Sequence, residues 1–264
     1  MKATSPYKIN LGLHITHRLE DGFHAIETVF YPMNNLHDTI EITPTSNFLF
    51  TMEGGDFNCP TEHNLCVKAY KLLQKIYKLP PVHIHLDKKI PSGAGVGGGS
   101  ADAATTLKLL NTLFNLHLTP ENLKTIACQL GSDVPFFIEN IPALGIHKGE
   151  VLQPIPLDLS AYHISVFKPD FSIATAQAYR YVHPQSGRPS PAVLIRQPIN
   201  QWKNILYNDF EKNLFSTYPL LQDIKCKFYE LGAIYASLSG SGSAIFAIGH
   251  HPIPLKNYFQ GQDF

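Results

Sequence analysis

Five glycines within seven positions form the stretch of this chain with the clearest chemical meaning. Gly93, Gly95, Gly97, Gly98 and Gly99 lie between a strand-like segment and a helix-like one. Glycine allows positive φ and lets a ligand approach the main chain closely. Amides that lead into a helix N-terminus offer aligned N–H donors and a positive dipole end, which suit a phosphate group. The stretch therefore predicts a nucleotide-binding loop.

The glycine stretch does not complete any of three better known motifs. Residues 93–98 fit GxGxxG, but a dinucleotide fold also needs an acidic residue about twenty residues on, after a second strand, and a helix is predicted here instead. A Walker loop needs Gly-Lys-Ser/Thr, and the next lysine is Lys108. The hydrolase pattern GxSxG is absent from the sequence. A phosphate loop of a third kind is favoured over a dehydrogenase.

Asp133 and Lys8 are ionisable residues whose positions each allow either a chemical role or an ordinary structural one. Asp133 follows a predicted helix, where an ordinary turn or cap aspartate is the alternative. Lys8 lies on the polar face of a predicted strand, where the alternative is a solvated lysine. The residues alone leave these alternatives open.

Composition narrows the class of protein. The 264 residues are 44% hydrophobic and 16% charged, which is typical of a globular protein with one large core or two smaller ones. The net charge is zero and there is no Lys/Arg run, so a nucleic-acid partner is not expected. No apolar stretch reaches the length of about 18 residues that would span a membrane, and no apolar signal core is seen, so a cytoplasmic protein is expected.

Cysteines and histidines give no sign of a metal centre. The four cysteines (Cys59, Cys66, Cys128 and Cys226) are scattered, which predicts free thiols in a reducing compartment. The thirteen histidines form no HxxxH or HExxH pattern, and two of them alternate with apolar residues on a strand over 82–90. No protein-held metal is predicted.

Periodicity and punctuation predict an α/β chain in two parts. Strands are predicted over 7–15, 24–31, 38–43, 82–90 and 162–167, with two more flanking residues 239–243. Helices are predicted over 64–77, from the end of the glycine stretch through Phe114, and over 120–130, 175–181, 208–215 and 220–231. The third has Thr119 as N-cap and Gly131 just past its end. Residues 44–63 are predicted to form a loop or hairpin. A boundary after residue 156 gives two domains, 1–156 and 157–264.

The full pattern Pro91-Ser-Gly-Ala-Gly-Val-Gly-Gly-Gly-Ser-Ala-Asp-Ala-Ala resembles the central motif of the GHMP kinases. The other motifs of one branch of that superfamily are resembled, in order, by residues 8–15, 21–24, 28–30, 131–137, 208–211 and 237–244. These matches span nearly the whole chain. The chain most resembles the branch that phosphorylates 4-diphosphocytidyl-2-C-methyl-D-erythritol.

The resemblance implies a fold and an activity. The fold is α/β, with an N-terminal ribosomal-protein-S5-like ATP domain (1–156) and a C-terminal ferredoxin-like substrate domain (157–264). The activity is ATP-dependent phosphorylation of the substrate's 2-hydroxyl, in the non-mevalonate isoprenoid pathway. ATP and Mg²⁺ are the expected cofactors, the latter with no ligand set assigned. The expected partner is the cytidine-diphospho-methylerythritol substrate, with no nucleic acid and no membrane, and the expected state is a monomer or weak homodimer.

The resemblance also implies residue roles. Asp133 is the general base and Lys8 its electrostatic partner, while Asn10 helps to hold the acceptor. The ATP site comprises Pro91, Ser92, Gly93, Ala94, Gly95, Val96, Gly97, Gly98, Gly99 and Ser100, with Asn64 and Leu65 on the adenine side. Ser100 is either the N-cap of the following helix or a ligand of phosphate or magnesium. The cytosine is recognised by Phe23 and His24, and Tyr179 closes the aromatic stack. The loop with Ser239, Gly240 and Ser241 contacts the rest of the substrate.

Two alternative functions remain open at this point. One is a GHMP kinase for another acceptor, such as mevalonate or homoserine. Neither of those acceptors has a base to stack, which disfavours them if Phe23, His24 and Tyr179 form a base site. The other is a non-catalytic ligand sensor on the same scaffold, which would tolerate the loss of Lys8 or Asp133.

Overall fold

The computed structural model describes residues 1–55, 60–180 and 182–264. The strands in these ranges are β1 (Lys2–Arg18), β2 (His24–Pro44), β3 (Leu49–Glu53), β4 (Val82–Asp87), β5 (Ala143–His147), β6 (Val151–Pro154), β7 (His163–Pro169), β8 (Tyr235–Leu238), β9 (Ile245–Gly249) and β10 (Gly261–Asp263). The helices are α1 (Leu65–Tyr77), α2 (Gly98–Leu113), α3 (Pro120–Ala127), α4 (Phe136–Glu139), α5 (Thr175–Tyr179), α6 (Pro191–Leu194), α7 (Trp202–Ile205), α8 (Glu211–Thr217) and α9 (Pro219–Glu230). Cys59, and Tyr181 at the end of a predicted helix, lie outside the described residues.

These elements form two compact units. The first comprises Met1–Lys8, Pro32–Ser92 and Gly97–Ile141, and the second comprises Ile9–Tyr31, Gly93–Val96 and Pro142–Phe264. The units differ from the predicted ranges 1–156 and 157–264, because the long strands β1 and β2 each contribute residues to both units. The glycine stretch is divided in the same way. The domain boundary after residue 156 stays a prediction.

The sheet of the first unit carries the strand that leads to the glycine stretch. That strand, β4, pairs in parallel with β3 and antiparallel with β2, where Thr39 lies opposite Asp87. Val82, Ile84 and Leu86 are buried, and the histidines between them are partly exposed, as the alternation predicted. Helix α1 packs against α2, which also contacts α3 and α4. The side chains of Val82, Ile84 and Leu86 are therefore part of the buried core of this unit.

The second unit contains two groups of strands. Its part of β2 pairs antiparallel with β5, which pairs antiparallel with β6. A separate antiparallel sheet has the strand order β10-β7-β9-β8. Helix α9 packs on β8 and β9 and buries Leu221, Ile224 and Phe228. The loop between β8 and β9 contains Ser239, Gly240 and Ser241, so a well-packed sheet and helix position this second glycine loop.

Several predicted elements differ from the structure. The predicted strands 24–31 and 38–43 are one strand, β2, since the intervening residues stay extended and Asn35 accepts a hydrogen bond from the Tyr7 hydroxyl at 2.7 Å. The predicted loop 44–63 contains β3, a short edge strand that is exposed at both ends and partly buried between them. Helix α8 begins at Glu211 rather than at residue 208, because the Asn208 side chain accepts the Phe210 amide hydrogen bond outside the helix.

Thr119 caps α3 as predicted, in a reciprocal capping box with Asn122. Within the described ranges, no helix has both the length and the apolar character needed to cross a membrane.

Candidate active site

Lys8 and Asp133 form an ion pair within the first unit. The Lys8 ammonium lies 3.4 Å from Oδ2 of Asp133, and the two side chains are 3% and 34% exposed. Burial lowers the pKa of Lys8, and the attraction of Asp133 opposes that effect. The alternative of a solvated strand lysine is therefore wrong, because β1 is covered on both faces from Tyr7 to Ile15. A partly exposed carboxylate beside a buried cation suits proton transfer to a bound substrate.

The same ion pair lies at the N-terminus of α2. A Cβ atom built on Gly97 would be 3.2 Å from Cε of Lys8 and 3.0 Å from the Phe137 ring. Gly97 is the N-cap of α2, with φ +71°, and as a glycine it has no side chain to accept hydrogen bonds from the first amides. Ser100 is the third residue of the helix, so its predicted alternative role as N-cap is wrong. The arrangement leaves the first amides of α2 suited to a phosphate.

The backbone before α2 has a geometry that favours anions. Gly93, Gly95 and Gly97 have φ of +65°, +75° and +71°, whereas the residues between them do not have positive φ. Alternation of left-handed and ordinary backbone turns successive N–H groups toward one concave side. This alternation explains why the glycines are spaced two apart, a pattern that the sequence displayed without revealing its conformational reason.

In the second unit, residues 93–96 are hydrogen-bonded to the loop between β8 and β9. The Ser239 hydroxyl donates to the Gly95 carbonyl at 3.1 Å, and the Ala244 amide donates to the Ala94 carbonyl at 3.0 Å. A Cβ on Gly95 would lie 2.2 Å from the Ser239 carbonyl oxygen, and one on Gly240 would lie 2.7 Å from the Gly95 carbonyl oxygen. The two glycine patterns therefore contact each other backbone to backbone, which their separation in sequence concealed.

This contact predicts a large effect for Gly95→Ala. The added methyl group meets a backbone oxygen and a positive φ, so the segment must move. We expect kcat/KM for ATP to fall about 10²-fold, the cost of a displacement of about 1 Å at a reacting group. Gly187→Ala is the matched control, because Gly187 has φ +78° but no atom of the described residues lies within 4 Å of a built Cβ. The control should have the kinetics of the wild type. If Gly95→Ala has them too, residues 93–96 are not part of a phosphate-binding loop.

The Asn208-Asp-Phe-Glu211 motif holds the second glycine loop in place. Nδ2 of Asn208 donates to the carbonyls of Leu238 and Gly240 at 2.9 and 2.8 Å. Glu211 accepts hydrogen bonds from the Ser237 hydroxyl and the Leu238 amide, both at 2.9 Å. The resemblance had pointed to this motif without a role. The structure gives it a structural role at the end of β8.

His24 and Tyr179 come together in the second unit. Their rings are stacked, with centroids 5.0 Å apart and planes 16° from parallel. Tyr179 also meets Phe210 edge to face at 4.8 Å. Phe23 is 62% exposed, and the Lys148 ammonium lies 4.5 Å from its ring centroid. The predicted aromatic group is thus present, and Lys148 is a cation beside it that the sequence did not single out.

Asn10 is buried in the second unit. Its Nδ2 donates to the Thr28 hydroxyl at 3.0 Å, and that hydroxyl donates to the Gly12 carbonyl at 2.6 Å. These bonds fix the orientation of the Asn10 amide, since a buried polar side chain without partners would be unfavourable.

The two residues predicted on the adenine side lie at the start of α1. Asn64 is the N-cap and accepts a hydrogen bond from the Cys66 amide at 2.9 Å, a structural role for which its residue type was a signal. Cδ1 of Leu65 lies 3.7 Å from a Cβ built on Gly99. Leu65 is therefore next to the first turn of α2, while the asparagine side chain is used by its own helix.

Comparisons with known proteins agree with one another. The family model "GHMP kinases N terminal domain" matches residues 64–140, and "GHMP kinases C terminal" matches residues 192–257. The chain is 47% identical over 245 residues to the 4-diphosphocytidyl-2-C-methyl-D-erythritol kinase of Bacteroides fragilis (strain YCH46), covering 91% of this chain and 89% of that protein. It is 43% identical to the protein of the same name from Parabacteroides distasonis, covering 94% and 92%.

Solved structures give the same result. A crystal structure of 4-(cytidine 5'-diphospho)-2C-methyl-D-erythritol kinase matches with a TM-score of 0.84 and 31% identity, covering 100% of this chain and 98% of that one. A mevalonate kinase structure matches with a TM-score of 0.72 at 15% identity, covering 100% and 98%. The second match shows a shared fold alone.

Proposed function

Since the chain belongs to the GHMP kinases, and among them to the 4-diphosphocytidyl-2-C-methyl-D-erythritol kinases, we propose that Asp133 and Lys8 are the residues with which it phosphorylates the 2-hydroxyl of that substrate. The reaction uses ATP and belongs to the non-mevalonate isoprenoid pathway. Phosphoryl transfer depends mainly on positioning and on neutralising charge, with one proton to be removed from the acceptor. The two residues match these requirements in type and in position.

The proposed chemical step is a direct transfer. The Asp133 carboxylate accepts the proton of the 2-hydroxyl as the hydroxyl oxygen forms a bond to the γ-phosphorus of ATP. The bond from that phosphorus to the β,γ-bridging oxygen breaks, and ADP leaves. The products are ADP and the 2-phosphate, and the proton passes from Asp133 to solvent. The Lys8 ammonium stabilises the negative charge on the transferring group.

One observation carries this proposal. The Lys8–Asp133 ion pair lies beside Gly97, the N-cap of α2, so the proposed base and cation are next to the predicted phosphate site. An ordinary surface ion pair has no reason to lie at a glycine N-cap, where helix amides and the dipole favour an anion. Residues 93–100 would bind the ATP phosphates through main-chain amides, and Leu65 would contact the adenine.

Mg²⁺ would supply further charge neutralisation on the phosphates when bound. Across residues 1–55, 60–180 and 182–264 there is no group of three or more His, Cys, Asp and Glu side chains that could hold a metal ion. This fits a cation that keeps several waters and binds mainly through phosphate oxygens, as Mg²⁺ does in nucleotide sites. The Ser100 hydroxyl, in the first turn of α2, is the protein ligand we propose.

A test of the activity uses three acceptors. We expect the purified protein with ATP and Mg²⁺ to phosphorylate 4-diphosphocytidyl-2-C-methyl-D-erythritol, and not mevalonate or homoserine. The reason is that only the first acceptor has a base. ADP release and mass spectrometry of the product measure the result. Turnover of another acceptor alone would contradict the substrate assignment, and ATP binding without any turnover would favour a sensor.

The aromatic group of the second unit recognises the cytosine in this proposal. We expect Tyr179→Ala to raise KM for the cytidylyl substrate about 10- to 100-fold, since stacking of a base on an aromatic ring contributes about 1–3 kcal/mol. KM for ATP should stay within about twofold. Tyr179→Phe retains the ring and should behave like the wild type.

Tyr77→Ala removes an exposed tyrosine from the end of α1 and serves as the matched control. Equal KM values in the Tyr179→Ala and Tyr77→Ala variants would refute the base site. His24, stacked on Tyr179, and Phe23 would act with it, and Asn10 and the loop containing Ser239, Gly240 and Ser241 would contact the methylerythritol diphosphate portion.

Three further expectations complete the proposal. The protein would act in the cytoplasm, since its substrates are small soluble phosphates and no described helix is suited to cross a membrane. It would be a monomer or weak homodimer without a nucleic-acid partner, in keeping with its zero net charge. Light scattering after size-exclusion chromatography measures the oligomeric state.

A further inference from the structure

A buried charged network in the first unit connects the two ends of the glycine stretch. Its centre is Lys88, which follows β4 and has a side chain that is only 4% exposed. The ammonium bonds to Oδ2 of Asp38, in β2, and to Oδ2 of Asp102, in the first turn of α2, the latter at 2.8 Å. The two carboxylates are also almost fully buried. One lysine thereby joins a strand of the sheet to the helix that begins the predicted phosphate site.

The other oxygen of Asp38 holds the chain just before the glycine stretch. Oδ1 accepts hydrogen bonds from the amides of Lys89 and Ile90, at 2.6 and 2.7 Å. These residues directly precede Pro91, which opens the motif. Charge-assisted hydrogen bonds of this kind are stronger than neutral ones and more directional than packing. The start of the stretch is therefore fixed to the same aspartate that binds Lys88.

Contacts at Gly98 connect the network to the first amides of α2. A Cβ on Gly98 would lie 2.7 Å from Cγ2 of Ile90 and 3.2 Å from the Lys88 ammonium. The helix start therefore packs directly on the network, and only glycine fits there. A shift of Lys88 or Asp102 would move the amides that are proposed to bind phosphate.

We propose that Lys88, Asp38 and Asp102 are positioning residues that set the geometry of the ATP phosphate site through this network. The proposal rests on the function given above, in which residues 93–100 bind ATP. A network that merely stabilised the fold would have no selective effect on ATP. We expect such a network to affect nucleotide affinity more than the chemical step, because it acts on the helix amides proposed to bind phosphate and not on the proposed base.

The test uses the full-length chain and the variant Asp102→Ala. Calorimetry with Mg²⁺ and a non-hydrolysable ATP analogue should show a Kd raised about 10- to 100-fold, the range for loss of a charge-assisted hydrogen bond. KM for ATP should rise in parallel, whereas kcat and KM for the cytidylyl substrate should stay within about threefold. Asp102→Asn keeps an acceptor for Lys88 and should restore most of the affinity. Leu109→Ala, a buried apolar change on the same helix, is the control for lost stability.

The outcomes separate the proposals. A folded Asp102→Ala variant that binds the analogue as tightly as Leu109→Ala does, with an equal fall in Tm, would overturn the positioning role. If Asp102→Ala does not fold, Asp38→Asn takes its place. Both oxygens of Asp38 accept hydrogen bonds, so an asparagine there turns its NH₂ group either to the Lys88 ammonium or to the amides of Lys89 and Ile90. This variant must weaken analogue binding at least about fivefold. Failure of the wild-type protein to bind the analogue would refute the proposed function instead.

Discussion

Replacing Asp133 with asparagine is expected to lower kcat by about 10²–10⁴-fold, the usual contribution of a general base. Asparagine has the shape of aspartate but cannot accept the proton of the 2-hydroxyl. Its oxygen can still accept a hydrogen bond from Lys8, so the site should keep its geometry. KM for ATP should therefore change little, because the residues proposed to bind the phosphates are untouched. Steady-state assays with the cytidylyl acceptor measure both constants.

Asp223→Asn is the control for this change, since Asp223 is exposed on α9 and makes the same alteration in charge. Its kcat should equal that of the wild type. A kcat for Asp133→Asn within about threefold of the control would show that a different group accepts the proton. A rise in KM for ATP with unchanged kcat would assign Asp133 to binding instead.

The local chemistry of the phosphate loop could be predicted from the sequence because it depends on neighbouring residues. Alternating glycines followed by a helix define both the amides and the dipole, whatever the rest of the chain does. Thr119 and Pro120 likewise marked the start of α3, since capping involves residues within one turn. Asp133 needed the resemblance, because an aspartate after a helix has an ordinary structural explanation.

Contacts between distant parts of the chain could not be predicted in this way. Lys88 and Lys89 are adjacent and chemically alike in the sequence, yet the first is buried between two carboxylates and the second is 52% exposed. The exposed fractions differ because the side chain of Lys88 points to Asp102 in α2 after β4 ends, whereas that of Lys89 points to solvent. The bond from Ser239 to the Gly95 carbonyl has the same origin, because it requires the β8–β9 loop to be placed by the sheet.

Lys88→Met is expected to reduce the free energy of unfolding by about 3–5 kcal/mol, the cost of removing one partner from a buried ion pair. Asp38 and Asp102 would remain buried without their shared cation. Lys89→Met is the matched control, since Lys89 has an exposed pair with Asp87 at 3.3 Å, and such pairs contribute about 0–1 kcal/mol. Urea unfolding followed by circular dichroism measures the two differences at neutral pH.

The pH dependence of the Lys88→Met deficit tests its cause. Burial already raises the pKa of Asp102 to about 6 in the wild-type protein, although Lys88 opposes this effect. Without Lys88 the opposing effect is lost, so the pKa of Asp102 rises further in the folded variant. The folded state then binds more protons than the unfolded state at mildly acidic pH, and its stability falls as the pH rises through that range. The difference between the variant and the wild type should therefore be larger at about pH 8 than at about pH 5. A deficit that is independent of pH would assign the loss to packing around the lysine side chain rather than to the unpaired carboxylates.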